Sequence, residues 1–175
     1  IIWLAHTEEL CQQAHDEFSK AWEIIGNAKI KSYKLFKNFR YDLNDINSGF
    51  VVLSLDYAYS LTKTKQSLFF SLARKCDFVV MDEAHMSVAP SYQQVLDILV
   101  NKETYLLGLT ATPGRAEIGS DENIKLAKFY NKQKVTLNIK GYKTPIDFLQ
   151  DKNYLAAVER EQLEVSTNIK KIRFF

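Results

Sequence analysis

The sequence has little that points to a membrane or to an oxidising compartment. Its apolar runs fall far short of the roughly 20 residues that a helix needs to cross a bilayer, and it opens with no signal peptide. Its two cysteines, Cys11 and Cys76, are too few for a disulfide framework and lack the CxxC spacing of a zinc site. We therefore predict reduced thiols, no membrane partner and a cytoplasmic location.

An excess of charge of either sign is also missing. The 23 Lys and Arg residues nearly balance the 21 Asp and Glu residues, which leaves a formal net charge of +2. This balance does not indicate a nucleic-acid binder, and it does not exclude one. The 175 residues fit one domain, and a hydrophobic fraction of 46% is enough to build its core.

Glycine is scarce, and its placement excludes one kind of nucleotide site. None of the six glycines begins the pattern G-x-x-x-x-G-K-[ST]. That loop supplies backbone amides and a lysine to the β- and γ-phosphates of a bound nucleotide. A nucleotide site built from these residues alone would lack this cradle.

Short apolar runs alternate with helical patterns along the chain. None of the runs alternates between apolar and polar residues, which is typical of strands buried on both faces of a parallel sheet. Strand–helix alternation predicts an α/β domain with a mostly parallel sheet flanked by helices. The strands are predicted at 1–5, 50–55, 78–81 and 105–109, with a further one at 29–36.

The helix boundaries follow from capping and breaking residues. Thr7 is a plausible N-cap of the first helix, and Gly26 supplies its stop. Pro90 lies in the first turn of another predicted helix. The remaining expectations are a helix at 57–75, a loop or short helix at 41–47, a helix at 122–131, a strand at 133–139 and a helix at 144–151.

The strongest chemical signal is an apolar strand that ends in two carboxylates, Asp82 and Glu83, followed by Ala84 and His85. Ligands of open α/β sheets bind outside the carboxyl ends of the strands. Asp82 there can hold Mg²⁺, directly or through water, and Glu83 can orient or deprotonate the water that attacks a γ-phosphate. The sequence has only three histidines, with no pair at metal-ligand spacing, so we reject a zinc hydrolase.

A second signal is a buried strand that ends in the hydroxyl residues Thr110 and Thr112 and then a Pro-Gly turn. Short hydroxyl side chains at this position can sense a neighbouring carboxylate site without occupying it. By itself the segment is equally compatible with an ordinary strand exit, because Pro-Gly is common turn chemistry.

Together these segments resemble motifs II and III of superfamily-2 helicases and translocases. Residues 4–13 resemble motif Ia, in which His6 replaces the usual proline and Glu8 the usual arginine. Residues 51–55 resemble the segment before the next nucleic-acid contact, with Ser54 at the usual Thr or Ser. The resemblance covers roughly residues 1–115 and implies a RecA-like sheet that is incomplete at its phosphate-binding-loop strand.

The resemblance also implies roles for single residues. Asp82 would bind Mg²⁺-ATP and Glu83 would be the catalytic base, while His85, Thr110 and Thr112 would couple hydrolysis to strand movement. The nucleic-acid backbone would be contacted by Thr7 and Ser54. Simple helix capping is nearly as good an explanation for these last two residues.

The motif forms are most similar to those of motor subunits of type I and type III restriction enzymes and related DNA-repair helicases. Residues 145–156 resemble the segment that leads towards their second motor domain. We therefore expect residues 1–140 to be part of a first RecA-like domain and 141–175 a connecting segment. The resemblance implies ATP, Mg²⁺, duplex DNA more than RNA, and restriction–modification subunits as partners.

Two expectations follow from the absence of a phosphate-binding loop. The isolated chain should not hydrolyse ATP, and the Thr110 strand should have an unpaired edge through which copies can self-associate. Two alternatives stay open: a non-enzymatic nucleic-acid-binding or scaffold domain of the same fold, and a metal-dependent phosphohydrolase that uses Asp82, Glu83 and His85 alone.

Overall fold

The chain divides into two units, Ile1–Gln133 and Lys134–Phe175. The structure, a computed structural model, describes residues 1–39, 41–111, 121–135 and 138–156. The strands are β1 (Ile2–Ala5), β2 (Ser32–Leu35), β3 (Phe50–Ser54), β4 (Phe78–Asp82) and β5 (Tyr105–Leu109). The α-helices are α1 (Glu8–Ile25), α2 (Leu55–Thr64), α3 (Gln66–Ala73), α4 (Pro90–Leu99), α5 (Asp121–Phe129) and α6 (Pro145–Asp151), and short 3-10 helices span Leu43–Asp45 and Ala84–Val88.

The five strands form one sheet in the order β2-β3-β1-β4-β5, and every neighbouring pair is parallel. The predicted α/β class with a parallel sheet is therefore confirmed. The register places Leu4 of β1 beside Leu53 of β3 and Met81 of β4. Because all strands run the same way, the residues that follow them collect at one edge of the sheet.

The two faces of the sheet bury different clusters, because successive strand residues point to opposite sides. Leu4, Leu53 and Met81 belong to the larger cluster, which includes residues of α2, α3 and α4. Phe50 belongs to the smaller cluster on the other face, with Cys11 of α1. Both predicted helix ends of α1 are confirmed, since Thr7 caps its start and Gly26 its end.

Both cysteines are free and buried. Burial raises the pKa of the Cys11 thiol to about 12, and the nearby Glu8 carboxylate adds to the shift. Burial also raises the pKa of the Cys76 thiol. Because only the thiolate is a good nucleophile, these residues serve the core as small apolar side chains.

The prediction of one helix at 57–75 was wrong. The structure has two helices, α2 and α3, which meet at Lys65 with φ −142° and ψ 47°. The Lys65 N–H still donates to the Leu61 carbonyl, so the helical hydrogen bonding ends without an orphaned donor. Neither glycine nor proline marks this break, and the apolar spacing continues across it.

The prediction of a strand at 133–139 was also wrong for its described residues, since 133–135 and 138–139 lie outside any strand. Asn131 and Lys132 both adopt the left-handed conformation, with φ 52° and 57°, and turn the chain at the end of α5. Val135, an apolar residue within the predicted strand, is fully exposed.

The expectation that β5 is buried on both faces was wrong as well. Tyr105, Leu107 and Leu109 are exposed, whereas Leu106 and Gly108 between them are half-buried. β5 is the last strand in the sheet order, as expected for the strand before Thr110. Across the described part of the chain, neither of the two buried clusters extends to its exposed residues.

The second unit contains α6, which confirms the helix predicted at 144–151. Thr144 and Asp147 form a capping box at its start, and Pro145 takes the first helical position. The Tyr142 hydroxyl donates a hydrogen bond of 2.6 Å to Asp151, which lowers the pKa of that carboxyl group. Over the residues described, no helix combines the length and the apolar character that crossing a bilayer demands.

Candidate nucleotide and nucleic-acid site

The backbone bends sharply between the two predicted carboxylates. Asp82 is the last residue of β4, and its Oδ1 accepts the Glu83 N–H at 3.0 Å. Glu83 itself has φ 52° and ψ 51°, a left-handed conformation that costs a residue with a side chain about 1–3 kcal/mol. Strain of this kind collects at functional sites, and here it starts the 3-10 helix Ala84–Val88.

His85 joins Glu83 to the end of β5. Its Nδ1 lies 3.2 Å from Glu83 Oε2 and 3.0 Å from Thr110 Oγ1, and its side chain is only 5% exposed. A carboxylate oxygen can only accept a hydrogen bond, so we assign the ring proton to Nδ1. The structure thus brings together three of the residues that the sequence singled out.

The other ring nitrogen of His85 is buried and has no hydrogen-bond partner among the described residues. With the proton on Nδ1, Nε2 carries a lone pair and acts only as an acceptor. A buried polar atom without a partner is unfavourable. Its presence in a histidine whose other ring nitrogen contacts the Glu83 carboxylate marks His85 as more than a packing residue.

A contact of the same 3-10 helix with Tyr130, the residue after α5, was not predicted. The Ser87 and Tyr130 hydroxyls lie 2.8 Å apart, and a Cβ atom at Gly108 would lie 2.6 Å from the Tyr130 ring. Burial raises the pKa of the Tyr130 hydroxyl. Gly108 is the one signal that could have revealed this contact, because a glycine inside a strand often marks a close approach.

Thr7 and Ser54 lie at the carboxyl ends of β1 and β3, and both act as helix caps. Thr7 Oγ1 accepts the Leu10 N–H at 3.2 Å, and Ser54 Oγ accepts the Tyr57 N–H at 3.4 Å. Thr7 is exposed, whereas Ser54 is only 8% exposed. Thr7 can therefore meet a ligand from solvent, and Ser54 has little surface to offer one. Thr112 lies outside the described residues.

The turn after β1 makes one further contact that sequence analysis missed. His6 Nδ1 and the Tyr92 hydroxyl lie 2.7 Å apart, and the two rings meet edge to face with centroids 5.9 Å apart. Burial, and after it the Asp56 carboxylate, raises the pKa of Tyr92. In the sequence His6 stood out only as a replacement of the usual proline, and no motif singled out Tyr92.

The acidic residues that the structure describes do not form a cage for a metal ion. In the ranges that the structure describes, no three His, Cys, Asp or Glu side chains converge closely enough to hold one. Magnesium is commonly bound by one or two carboxylates, with phosphate oxygens and waters completing its shell. Asp82 fits that arrangement, in which the ion arrives with the nucleotide.

Most of the chain matches a known protein family. Residues 1–115, from β1 through the segment that follows Thr110, match the family described as type III restriction enzyme, res subunit. The chain belongs to this family. The res-subunit family is of the helicase and ATPase type, so residues 1–115 are a helicase-like domain of a restriction-enzyme subunit. A search of the curated proteins finds no match.

Proposed function

We propose that this chain forms part of an ATP-dependent DNA translocase of the DEAH-box class. The parent protein would be the motor subunit of a type I or type III restriction enzyme, or a related DNA-repair helicase. The observation that carries the proposal is the position of His85 between Glu83 and Thr110. Because His85 connects the catalytic carboxylate to the end of the neighbouring strand, a movement of that carboxylate on hydrolysis can be transmitted to the rest of the domain.

Each residue of the site has a role in this proposal. Asp82 holds Mg²⁺ on the phosphates of ATP, which the ion screens and orients. Glu83, whose side chain is 42% exposed, orients and deprotonates the attacking water. His85 fixes the Glu83 carboxylate and passes its displacement to Thr110. Thr112, the second hydroxyl residue after β5, would take part with Thr110 in coupling hydrolysis to strand movement.

Hydrolysis also needs a phosphate-binding loop, which these 175 residues do not contain. We propose that the parent protein supplies it and that the chain alone does not hydrolyse ATP. Residues 1–140 would belong to a first motor domain and 141–175 to a segment that connects it to a second. The register pairs Asp82 of β4 with Leu109 of β5, so both residues lie on the same face of the sheet. Leu109 is exposed on that face, which supports nucleotide entry there.

Replacing the proposed base tests the enzymatic role in the full-length protein. Glu83→Gln keeps the size of the side chain and removes its basicity, so ATP hydrolysis should fall at least about 100-fold while ATP binding persists. Glu103→Gln, at an exposed position before β5, should retain the wild-type rate. Normal turnover by Glu83→Gln would rule out Glu83 as the base.

Thr7 offers a test of the nucleic-acid contact that separates it from helix capping. Thr7→Asp keeps a good N-cap but places a negative charge where a phosphate would lie. We expect duplex-DNA affinity to weaken on the order of tenfold. Thr144→Asp makes the same change at the start of α6 and should leave affinity unaltered. Equal DNA affinities of the wild type, Thr7→Asp and Thr144→Asp would show that Thr7 only caps α1.

A second candidate is a non-enzymatic nucleic-acid-binding or scaffold domain of the same fold. The missing phosphate-binding loop is the observation that favours it. A full-length protein that binds duplex DNA but has no ATPase activity, with or without DNA, would support the scaffold over the motor. Parallel assays with duplex RNA would test the preference for DNA.

A further inference from the structure

Backbone hydrogen bonds run without interruption from Glu83 to the first turn of α4. The Met86 N–H donates to the Glu83 carbonyl at 2.8 Å, and the Ala89 N–H donates to the Met86 carbonyl at 3.0 Å. The Tyr92 N–H then donates to the Ala89 carbonyl, also at 3.0 Å. Each of these hydrogen bonds fixes the conformation of one short turn. A displacement of Glu83 therefore moves Tyr92 as well.

The Tyr92 side chain extends this path to another strand. Its hydroxyl meets His6 Nδ1 at 2.7 Å, and the edge-to-face packing of the two rings holds the pair in place. Tyr92 is 8% exposed, so its hydroxyl is largely shielded from competing water. His6 directly precedes Thr7, the exposed cap of α1.

We propose that Tyr92 and His6 are positioning residues that link the nucleotide carboxylates to the nucleic-acid-binding turn at Thr7. This inference rests on the proposed function, because it requires both ligands. Neither residue touches the nucleotide or the nucleic acid in this scheme. Movement of Glu83 during hydrolysis reaches the β1–α1 turn through Tyr92, and nucleic acid bound at Thr7 reaches Glu83 by the same contacts. This route leaves Glu83 through its backbone carbonyl, whereas the one through His85 and Thr110 leaves it through its carboxylate.

The test is the stimulation of ATP hydrolysis by duplex DNA in the full-length protein. Tyr92→Phe removes one hydroxyl and keeps the ring, so stimulation should fall on the order of fivefold, a change that one hydrogen bond can support. The unstimulated rate should stay near that of the wild type. Tyr59→Phe is the matched control: it removes a hydroxyl that bonds to no described residue, from a partly buried tyrosine of α2.

A double-mutant cycle makes the test specific to the pair. His6→Ala should lower stimulation as Tyr92→Phe does, and the double variant should be no worse than either single one. His6→Asn keeps a polar atom near the position of Nδ1 and should restore part of the stimulation. Purely structural damage would lower the unstimulated rate as well and would show no such rescue.

The outcomes separate this inference from the proposed function. A wild-type protein that neither hydrolyses ATP nor responds to DNA would overturn both. Full stimulation of Tyr92→Phe, in a wild-type background that is stimulated, would overturn the positioning role and leave the motor intact. Additive losses in the double variant would also overturn it, because His6 and Tyr92 would then act independently.

Discussion

Strands β3 and β5 have sequences of similar apolar character but very different surroundings. All five residues of β3 are buried, and the strand lies between β2 and β1. β5 pairs only with β4 among the described strands, and three of its five residues are exposed. Hydropathy therefore predicted both strands, whereas the burial of each was decided by what packs beside and above it.

The largest expected difference is the response of the two strands to truncation. Leu53→Ala in β3 deletes a fully buried side chain and should lower the free energy of unfolding by about 3 kcal/mol, through lost burial and the cavity left behind. Leu107→Ala in β5 removes a side chain that is 44% exposed and should cost less than about 1 kcal/mol. Urea denaturation of the 175-residue chain measures both. Equal losses would mean that the exposed face of β5 is covered in solution.

Gly108 is the position where β5 should be as sensitive as β3. A methyl group there would lie 2.6 Å from the Tyr130 ring and 2.7 Å from Ala84 Cβ. Gly108→Ala should therefore destabilise the protein by about 1–3 kcal/mol in the same measurement. Adding Tyr130→Leu should recover part of the loss, because it removes the ring from the clash. No recovery would indicate that the contact with Ala84, rather than the one with Tyr130, limits the site.

The smallest effect on stability is expected for a charge on the exposed face of β5. Leu107→Lys should change the free energy of unfolding by less than about 0.5 kcal/mol. It should nevertheless lower any self-association through the strand edge, because lysines discourage edge-to-edge pairing. Sedimentation velocity over a concentration series measures this. Ile24→Lys, which replaces an exposed apolar residue of α1, should leave self-association unchanged. An equal decrease in self-association for the two lysine variants would indicate nonspecific hydrophobic association rather than pairing through the strand edge.

Residues close together in sequence allowed most of the candidate site to be predicted. Asp82, Glu83 and His85 lie in one short segment after an apolar strand, and strand order in a parallel sheet brings Thr110 beside them. Contacts between distant segments were missed. The hydroxyl of Tyr92 meets His6, and that of Tyr130 meets Ser87, but in the sequence both tyrosines pass for ordinary apolar residues.

The sequence by itself determined the α/β class, most of the strands and helices and the positions of the motifs, because periodicity and caps are local properties. Tertiary structure decided that the helical segment is interrupted at Lys65, which face of β5 is exposed and which residues contact His85. It also brought His6 to Tyr92. These features depend on contacts between residues that are far apart in the sequence, and the local pattern of residues does not predict such contacts.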